Sequence, residues 1–479
     1  MAESLKQRTA RSLAWSGLAS VATQVLNLAF GIVLARRLTP GDYGMVGVLT
    51  VFNAVAVALQ ESGFIAALTN LKTARREDYS SVFWFSTFVG LTLYAALFAC
   101  APLLADFFGK PELTALSRLV FVSFVVAGVG TPFSAYMFRE LMNKEKAVLG
   151  VAALLCSGAV GVTLAYSGYS YWSLAWQQLT YVSVFFLGRF FYVPWLPMAR
   201  IDLRPVRRMF GFGSKMLVTS VVNAVSGNIL SLVFGKMFAG QMHLVGHFTQ
   251  ANKWNTMATS VVRDTLSPVA QPVLAIIRDD NAGRLRAFRK LLRFTSLLTF
   301  PAMFGLAGVA EEFILVTIGP QWLPCVPLLR WLCVGGAFVP LQFLFQQMAV
   351  AAGRSGLFMR MNVSLIAVQI GSVLATAHWG METMVAVYAT LNAVWFFLWH
   401  FAGRRLIGLR LADLLRDVAP FLLLAAALVA GVCYATVGVA SLWLRLGLRV
   451  TAVCALYFGT LRLLGAQIVN ELWKFIRKG

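Results

Sequence analysis

Ser16, Ser20, Gln24 and Asn27 recur at intervals of four, four and three residues. That spacing puts all four on one face of an α-helix whose other faces are apolar. Asn53 and Gln60 stand seven apart, again on one face, with Glu61 beside them. A third apolar stretch carries Gln250, Asn252, Lys253, Asn255, Arg263 and Asp264. Lys253 and Asp264 are eleven residues apart, three helical turns, and share a face. Arg330 lies in a fourth stretch, and Lys236 in the one before the third. Charges at mid-bilayer depth cost about 2.5–3.5 kcal/mol each on insertion scales, so they face a cavity or a partner. A lining that includes Lys253, Arg263 and Arg330 suits a cargo bearing phosphates, which guanidinium and ammonium groups bind by charge-assisted hydrogen bonds. Glu61 and Asp264 are the candidate acids for coupling to a proton or a sodium ion. Plain alternatives stand beside these readings. Glu61 and Arg263 near an interface are simply solvated, Lys236 snorkels, and Asp264 pairs with a neighbouring cation.

The elements that carry these residues are long and apolar. Of 479 residues, 59% are hydrophobic and 13% charged, about half the charge of an ordinary soluble domain. Apolar blocks of ~20 residues span a bilayer as helices, and strict two-residue alternation, the mark of a barrel strand, is absent. The blocks predict an all-α polytopic membrane protein with about fourteen spans. These are 13–35, 44–70, 81–105, 117–137, 147–166, 171–193, 214–238, 243–276, 291–310, 326–352, 357–377, 382–402, 418–438 and 442–461. Lys and Arg collect on alternate connections, such as Arg139, Lys144 and Lys146, or Arg284, Arg286, Arg289 and Lys290. The other side holds little beyond Arg36, Arg37, Lys110, Arg445 and Arg449. By the positive-inside rule both termini are expected in the cytoplasm and the helix count is even. The formal charge of +22 is then a topology signal, and no nucleic-acid partner is expected.

Several chemistries are excluded. The opposite-side connections Thr39–Tyr43, Ser167–Ser170, Ala239–Met242 and His378–Met381 are too short to hold the catalytic acid of a sugar transferase or polymerase. No Walker A, GxSxG or HExxH motif occurs. Six cysteines without paired spacing read as small apolar residues. His243 and His247 sit at i and i+4 but lack a third ligand. No cofactor and no metal are expected.

The chain also repeats itself. Gln24-Val-Leu-Asn-Leu-Ala-Phe-Gly31 aligns with Asn228-Ile-Leu-Ser-Leu-Val-Phe-Gly235. Each copy is followed by a short turn and a glycine, Gly44 and Gly246. Continuing from those glycines, Asn53 meets Asn255 and Glu61 meets Arg263. A repeat every six helices predicts two lobes in the same orientation with a polar cleft between them. The expected division is 1–193 for the first lobe, 194–212 for a cytoplasmic interfacial linker, 213–403 for the second lobe, and 404–479 for two further helices and a tail. In the linker Leu203, Val206, Met209 and Phe210 fall on one helical face.

Taken in order, several segments carry a family resemblance. They are Ala35-Arg-Arg-Leu-Thr-Pro-Gly-Asp-Tyr-Gly44, Arg139-Glu-Leu-Met-Asn-Lys-Glu-Lys146 and Gly168-Tyr-Ser-Tyr-Trp172. Pro272-Val-Leu-Ala-Ile-Ile-Arg-Asp-Asp280, Trp322-Leu-Pro-Cys-Val-Pro327 and Gly353-Arg354 follow. The chain resembles the Wzx-type flippases of the multidrug/oligosaccharidyl-lipid/polysaccharide exporter superfamily, over nearly its whole length. It departs from them at Leu230-Ser231, where many members carry Asp-Asn. The resemblance implies a V-shaped two-lobe fold in a bacterial inner membrane, working by alternating access. It implies an undecaprenyl-pyrophosphate-linked oligosaccharide as cargo, for exopolysaccharide, capsule or O-antigen, with a polymerase and export machinery downstream. Lys253, Arg263 and Arg330 would then neutralise the diphosphate, and Gln24, Asn27, Asn53, Gln60 and Asn255 would contact sugar hydroxyls. The competing expectations are a cation-coupled drug exporter on the same fold, a polytopic glycosyltransferase or polymerase, and a non-transporting scaffold.

Overall fold

A chain in hydrocarbon has no water to pair its N–H and C=O groups, and helices satisfy them within one segment. The computed structural model describes residues 22–61, 65, 68, 71, 74–140, 142–198, 202–276 and 281–463. These form helices and connections, with no strand among the described residues. The helices are α1 (22–37), α2 (Pro40–Gly47), α3 (Thr50–Glu61), α4 (Arg76–Phe108), α5 (Leu113–Arg139) and α6 (Asn143–Tyr166). There follow α7 (Tyr171–Phe190), α8 (Arg204–Met237), α9 (Met242–Ile276), α10 (Asn281–Gly308), α11 (Ala310–Thr317) and α12 (Cys325–Gly336). The last are α13 (Val339–Ala351), α14 (Ser355–Ala375), α15 (Gly380–Ile407), α16 (Leu411–Ala435) and α17 (Leu442–Leu463).

Among the described residues, nine helices are long and apolar enough to cross a membrane, or ten if the bent pair α2–α3 is one span. The most polar helices, α8 and α9, fall outside that set. Two expected spans are broken. The second begins earlier than Gly44 and bends by 43° between α2 and α3. Its early start comes from a capping box, because Thr39 Oγ1 accepts from the Asp42 amide and the Asp42 carboxylate accepts from the Thr39 amide at 2.8 Å. Pro40 at the first helical position is preset for that geometry. Thr39–Tyr43, expected as a loop, is therefore a cap and a first turn. The tenth span breaks between α12 and α13, where Pro340 enters the second piece.

The chain folds as two compact units, Met1–Gly246 and His247–Gly479. In the first, Met45, Val48 and Leu49 pack with Phe108, Leu116, Met242 and Val245 in one buried cluster. This cluster binds the start of α9 to the helices before it. The connector after α7 is strapped to α4 and α5. Trp195 stacks on Phe133 at 4.9 Å and lies 5.3 Å from Tyr79. Arg76 donates to the Leu196 carbonyl at 2.9 Å. Trp84 Nε1 donates to the Met198 carbonyl at 2.8 Å, and the Met198 amide donates to Ser80 Oγ at 2.9 Å. From Arg204 the helix runs without a break into α8. Of the four residues expected on one apolar face, Val206 and Met209 are buried, while Leu203 and Phe210 are exposed. The strap covers only part of that face.

In the second unit, two buried ion clusters hold α16 and α17. Near the start of α16, Asp417 takes Arg289 Nε at 2.6 Å and Arg293 Nε at 2.7 Å, and Asp413 takes Arg289 at 3.2 Å. Beyond its end, Glu312 takes Arg449 at 2.8 Å and Arg445 at 3.3 Å. Arg449 also donates to Thr436 Oγ1 at 2.8 Å and to the Gly308 carbonyl at 3.1 Å. A third polar knot joins α13, α14 and α15. Gln342 donates to the Asn392 carbonyl at 2.6 Å, and Gln369 donates to Asn392 Oδ1 at 3.3 Å. Breaking a buried pair from one side strands the other charge, at a cost of roughly 3–5 kcal/mol. Glu312→Gln is therefore expected to lower the unfolding midpoint in detergent by several degrees. Adding Arg449→Met should recover part of the loss. A Glu312→Gln melting curve that overlays the wild type would show that the cluster does not hold α17.

Candidate functional site

The polar residues singled out by spacing distribute over both units. On α1, Gln24 and Asn27 are half-buried. On α3, Asn53 is half-buried, and its Oδ1 is enclosed with no hydrogen-bond partner. Gln60 and Glu61 end α3, and their side chains lie outside the described residues. On α9, Lys253 is half-buried with its ammonium 5.7 Å from the centroid of the Trp254 ring. Asn255 is half-buried, and its Oδ1 too is enclosed without a partner. That oxygen packs against Gly336 of α12, where a Cβ would stand only 2.3 Å from it.

Asn53 and Asn255 are the two residues that the repeat aligns, and both keep an unpaired carbonyl oxygen. Buried polar groups are otherwise paired in folded proteins, so each is a place where a water or a cargo hydroxyl would donate. Gln250, one turn before Trp254, is fully buried with neither amide atom bonded. His247 and Trp254 share its side of α9, against Trp322 at 5.8 Å and Phe313 at 5.1 Å. Lys253, three residues after Gln250, is only half-buried.

Other expected contacts are not brought together. Arg263 and Asp264 are each about half exposed, at 51%, and pair with each other at 3.9 Å. Arg330 pairs with Glu311 at 3.6 Å, and no hydrogen bond or ion pair joins it to Lys253 or Asp264. Lys236 donates to the Phe107 carbonyl at 2.6 Å, with its ammonium over the Phe107 ring at 4.4 Å. That contact fixes the C-terminal end of α8.

The glycines of the repeat meet. A Cβ on Gly44 would lie 2.0 Å from the Met242 carbonyl oxygen, and one on Gly246 would lie 1.7 Å from that of Pro40. The starts of α2 and α9 thus cross backbone against backbone, each glycine making room for the other helix. Small residues allow such approaches in membrane bundles.

The sequence profile described as polysaccharide biosynthesis protein matches residues 33–327. The chain belongs to this family. The Escherichia coli K12 lipopolysaccharide biosynthesis protein WzxC is 25% identical over 369 residues, 75% of this chain and 73% of that protein. The Bacillus subtilis 168 teichuronic acid biosynthesis protein TuaB is 24% identical over 440 residues, 86% of each. Among solved structures, the lipid II flippase MurJ in an inward closed conformation superposes with a TM-score of 0.76 at 12% identity. It covers 94% of this chain and 99% of MurJ. An inward-facing multidrug resistance transporter of the MATE family superposes at 0.68 and 15% identity, covering 82% and 98%. The fold is that of the multidrug/oligosaccharidyl-lipid/polysaccharide exporters.

Against the family background, the deeply placed charges are not the ones that spacing picked out. Asp42, Glu312 and Asp417 are the buried acids among the described residues. Asp42 accepts from Thr39 and Ser170, and the other two sit between arginines, so none is left to take up a coupling cation. Arg189 is buried beside Ser134, with its guanidinium 4.2 Å from the Phe185 centroid. Arg118 lies 4.1 Å from the Phe98 centroid, with its Nε enclosed and unpaired. A scan for single charges inside spans 117–137 and 171–193 would have found both arginines. Glu312 and Asp417 sit outside the expected spans and look like loop charges. Among the described residues no group of three metal-ligating side chains converges, and all six cysteines are free.

Gly246→Ala puts a methyl group onto the Pro40 carbonyl, so the crossing of α2 and α9 must open. Complementation of a deletion strain is expected to fail while membrane levels of the protein stay normal. Gly240→Ala, with open space around it, should complement fully. Full complementation by Gly246→Ala would remove any need for the close crossing.

Proposed function

We propose that this protein is a flippase, not an enzyme. It moves undecaprenyl-pyrophosphate-linked oligosaccharide units from the cytoplasmic to the periplasmic leaflet for surface polysaccharide synthesis. The observation that carries the reading is the pair of repeat-related asparagines, Asn53 and Asn255, each holding an unpaired carbonyl oxygen within the helices of a polysaccharide biosynthesis family member. Such oxygens accept from hydroxyls, and a sugar is the cargo class richest in them. The names of WzxC, TuaB and the Rhizobium meliloti succinoglycan transport protein ExoT point to the same class.

In this reading Lys253 and Arg263 meet the diphosphate, and Gln24, Asn27, Asn53, Gln60 and Asn255 meet the sugar. Arg330, which lines a groove of the second unit with Glu382, is left out of the set. Glu61 and Asp264 remain the acids for coupling to a cation gradient. The lobes are 1–193 and 213–403, with 194–212 between them and 404–479 after them, in fourteen spans. The chain sits in a bacterial inner membrane with both termini in the cytoplasm, and it hands its product to a polymerase and export machinery. A cation-coupled drug exporter needs an acid free to exchange its cation. Asp42, Glu312 and Asp417 are engaged and leave such an exporter only Glu61 and Asp264, and the names of WzxC, TuaB and ExoT favour the flippase instead.

Lys253→Ala combined with Arg263→Ala is expected to abolish surface polysaccharide at normal protein levels. In proteoliposomes it should slow translocation of a fluorescent prenyl-diphosphate sugar by at least about tenfold, the effect of losing ~1.4 kcal/mol of phosphate binding. Wild-type translocation by the double variant would sink the diphosphate role. Drug sensitivity of the deletion strain without loss of polysaccharide would favour the exporter.

A further inference from the structure

The second unit holds a groove of about 630 Å³ between α10, α12, α15 and α16. Its direction follows from contacts along its walls. Phe300 of α10 meets Phe338 just after α12 at 5.8 Å, and Glu311, just after α10, meets Arg330 near the start of α12. The two helices therefore run antiparallel. Phe304 and Val334 line one end of the groove. Arg330 and Glu382, in the first turn of α15, line the other. The hollow exists because the α16 wall is made of small residues, Ala426 and Ala430. Gly308 lets α16 approach until Val429 fills the space of a missing Cβ at 2.5 Å, which closes the floor. Trp331 and Val334 are exposed, so the trough opens on the surface of the unit.

The charged end is not self-sufficient. Arg330 reaches only Glu311, at 3.6 Å with both side chains about half exposed, against 2.8 Å for the buried Arg449–Glu312 pair. Most of the five guanidinium donors are left over. Glu382 has no ion-pair partner among the described residues. An apolar trough of this size, within the ~300–1,000 Å³ range of ligand sites, thus ends in a guanidinium with donors to spare beyond its one ion pair and an exposed carboxylate without an ion pair among the described residues. A neutral hydrocarbon would leave both unmatched. A ligand that matches all three features carries an aliphatic chain, a phosphate and a primary ammonium.

We propose that the groove binds one amine-bearing phospholipid of the surrounding bilayer. Its acyl chain lies along Phe304, Val334 and Ala426, its phosphate sits on the Arg330 guanidinium, and its ammonium donates to the Glu382 carboxylate. A choline head has no N–H to donate, and a glycerol head has no cation, so the site discriminates by head group. The bound lipid fills the space between α12 and α16. It is independent of the cargo proposed above.

The full-length protein is placed in nanodiscs of phosphatidylethanolamine, phosphatidylcholine and phosphatidylglycerol with identical acyl chains, then released for native mass spectrometry. Wild type is expected to retain about one phosphatidylethanolamine per chain, several-fold above its share of the mixture. Glu382→Gln should bring phosphatidylethanolamine down to the choline level, and Arg330→Gln should lower retention of all three lipids. Ala430→Leu, which fills the trough, should do the same. Equal retention of the three lipids by wild type overturns the proposal. Wild-type-like retention by folded Glu382→Gln overturns it too, as does a wild-type protein that carries only a polyprenyl phosphate.

Discussion

An unpaired polar group in hydrocarbon costs several kcal/mol, and each part of this structure can be read as an answer to that cost. The backbone answers with helices, from 22–37 to Leu442–Leu463. Charged side chains answer with one another. Glu312 sits among Arg445, Arg449 and, through Arg449, the Gly308 carbonyl. Asp417 sits between Arg289 and Arg293. Each cluster ties a late helix to an early one of the same unit, so pairing the charges also sets the position of α16 and α17. Buried ion pairs add little net stability compared with apolar packing. Their contribution here is register: α17 can slide only by breaking the hydrogen bonds of Arg449 to Glu312, Gly308 and Thr436.

Where the cost is not answered, function has room. Asn53 and Asn255 hold carbonyl oxygens without a hydrogen-bond partner, and the Lys253 ammonium lies 5.7 Å from the Trp254 ring centroid with no ion pair among the described residues. The same logic separates Asp264 from Asp417. Asp264 is half exposed beside a neighbouring arginine, and Asp417 is buried between two guanidiniums. An acid with two fixed counter-charges is a rivet, whereas a transport acid must be able to change partners.

Close backbone packing is the second device. The crossing at Gly44 and Gly246 joins the segments that the internal repeat relates, and each glycine clears space for the other copy's chain. The two glycines aligned by sequence thus meet in a reciprocal contact. The strap from Trp195 to Met198 works differently, through stacked rings and hydrogen bonds to backbone carbonyls. It anchors the chain where the first helices hand over to α8.

What the sequence by itself determined was everything carried by period and composition. Apolar blocks near the length of a bilayer specify helices, the distribution of Lys and Arg predicts an orientation, and spacings of three, four and seven place Gln24 with Asn27 and Lys253 with Asp264. The aligned asparagines were legible as a pair for the same reason. The tertiary structure alone decided which charges meet, because a contact between positions 128 or 137 residues apart, as for Arg289–Asp417 and Arg449–Glu312, has no period to betray it. It also decided that Arg330 pairs with Glu311 beside an apolar groove, and that Gln250 is fully buried while Lys253, three residues on, is half-buried. Helical spacing says which residues share a face; only packing against other helices says what that face meets.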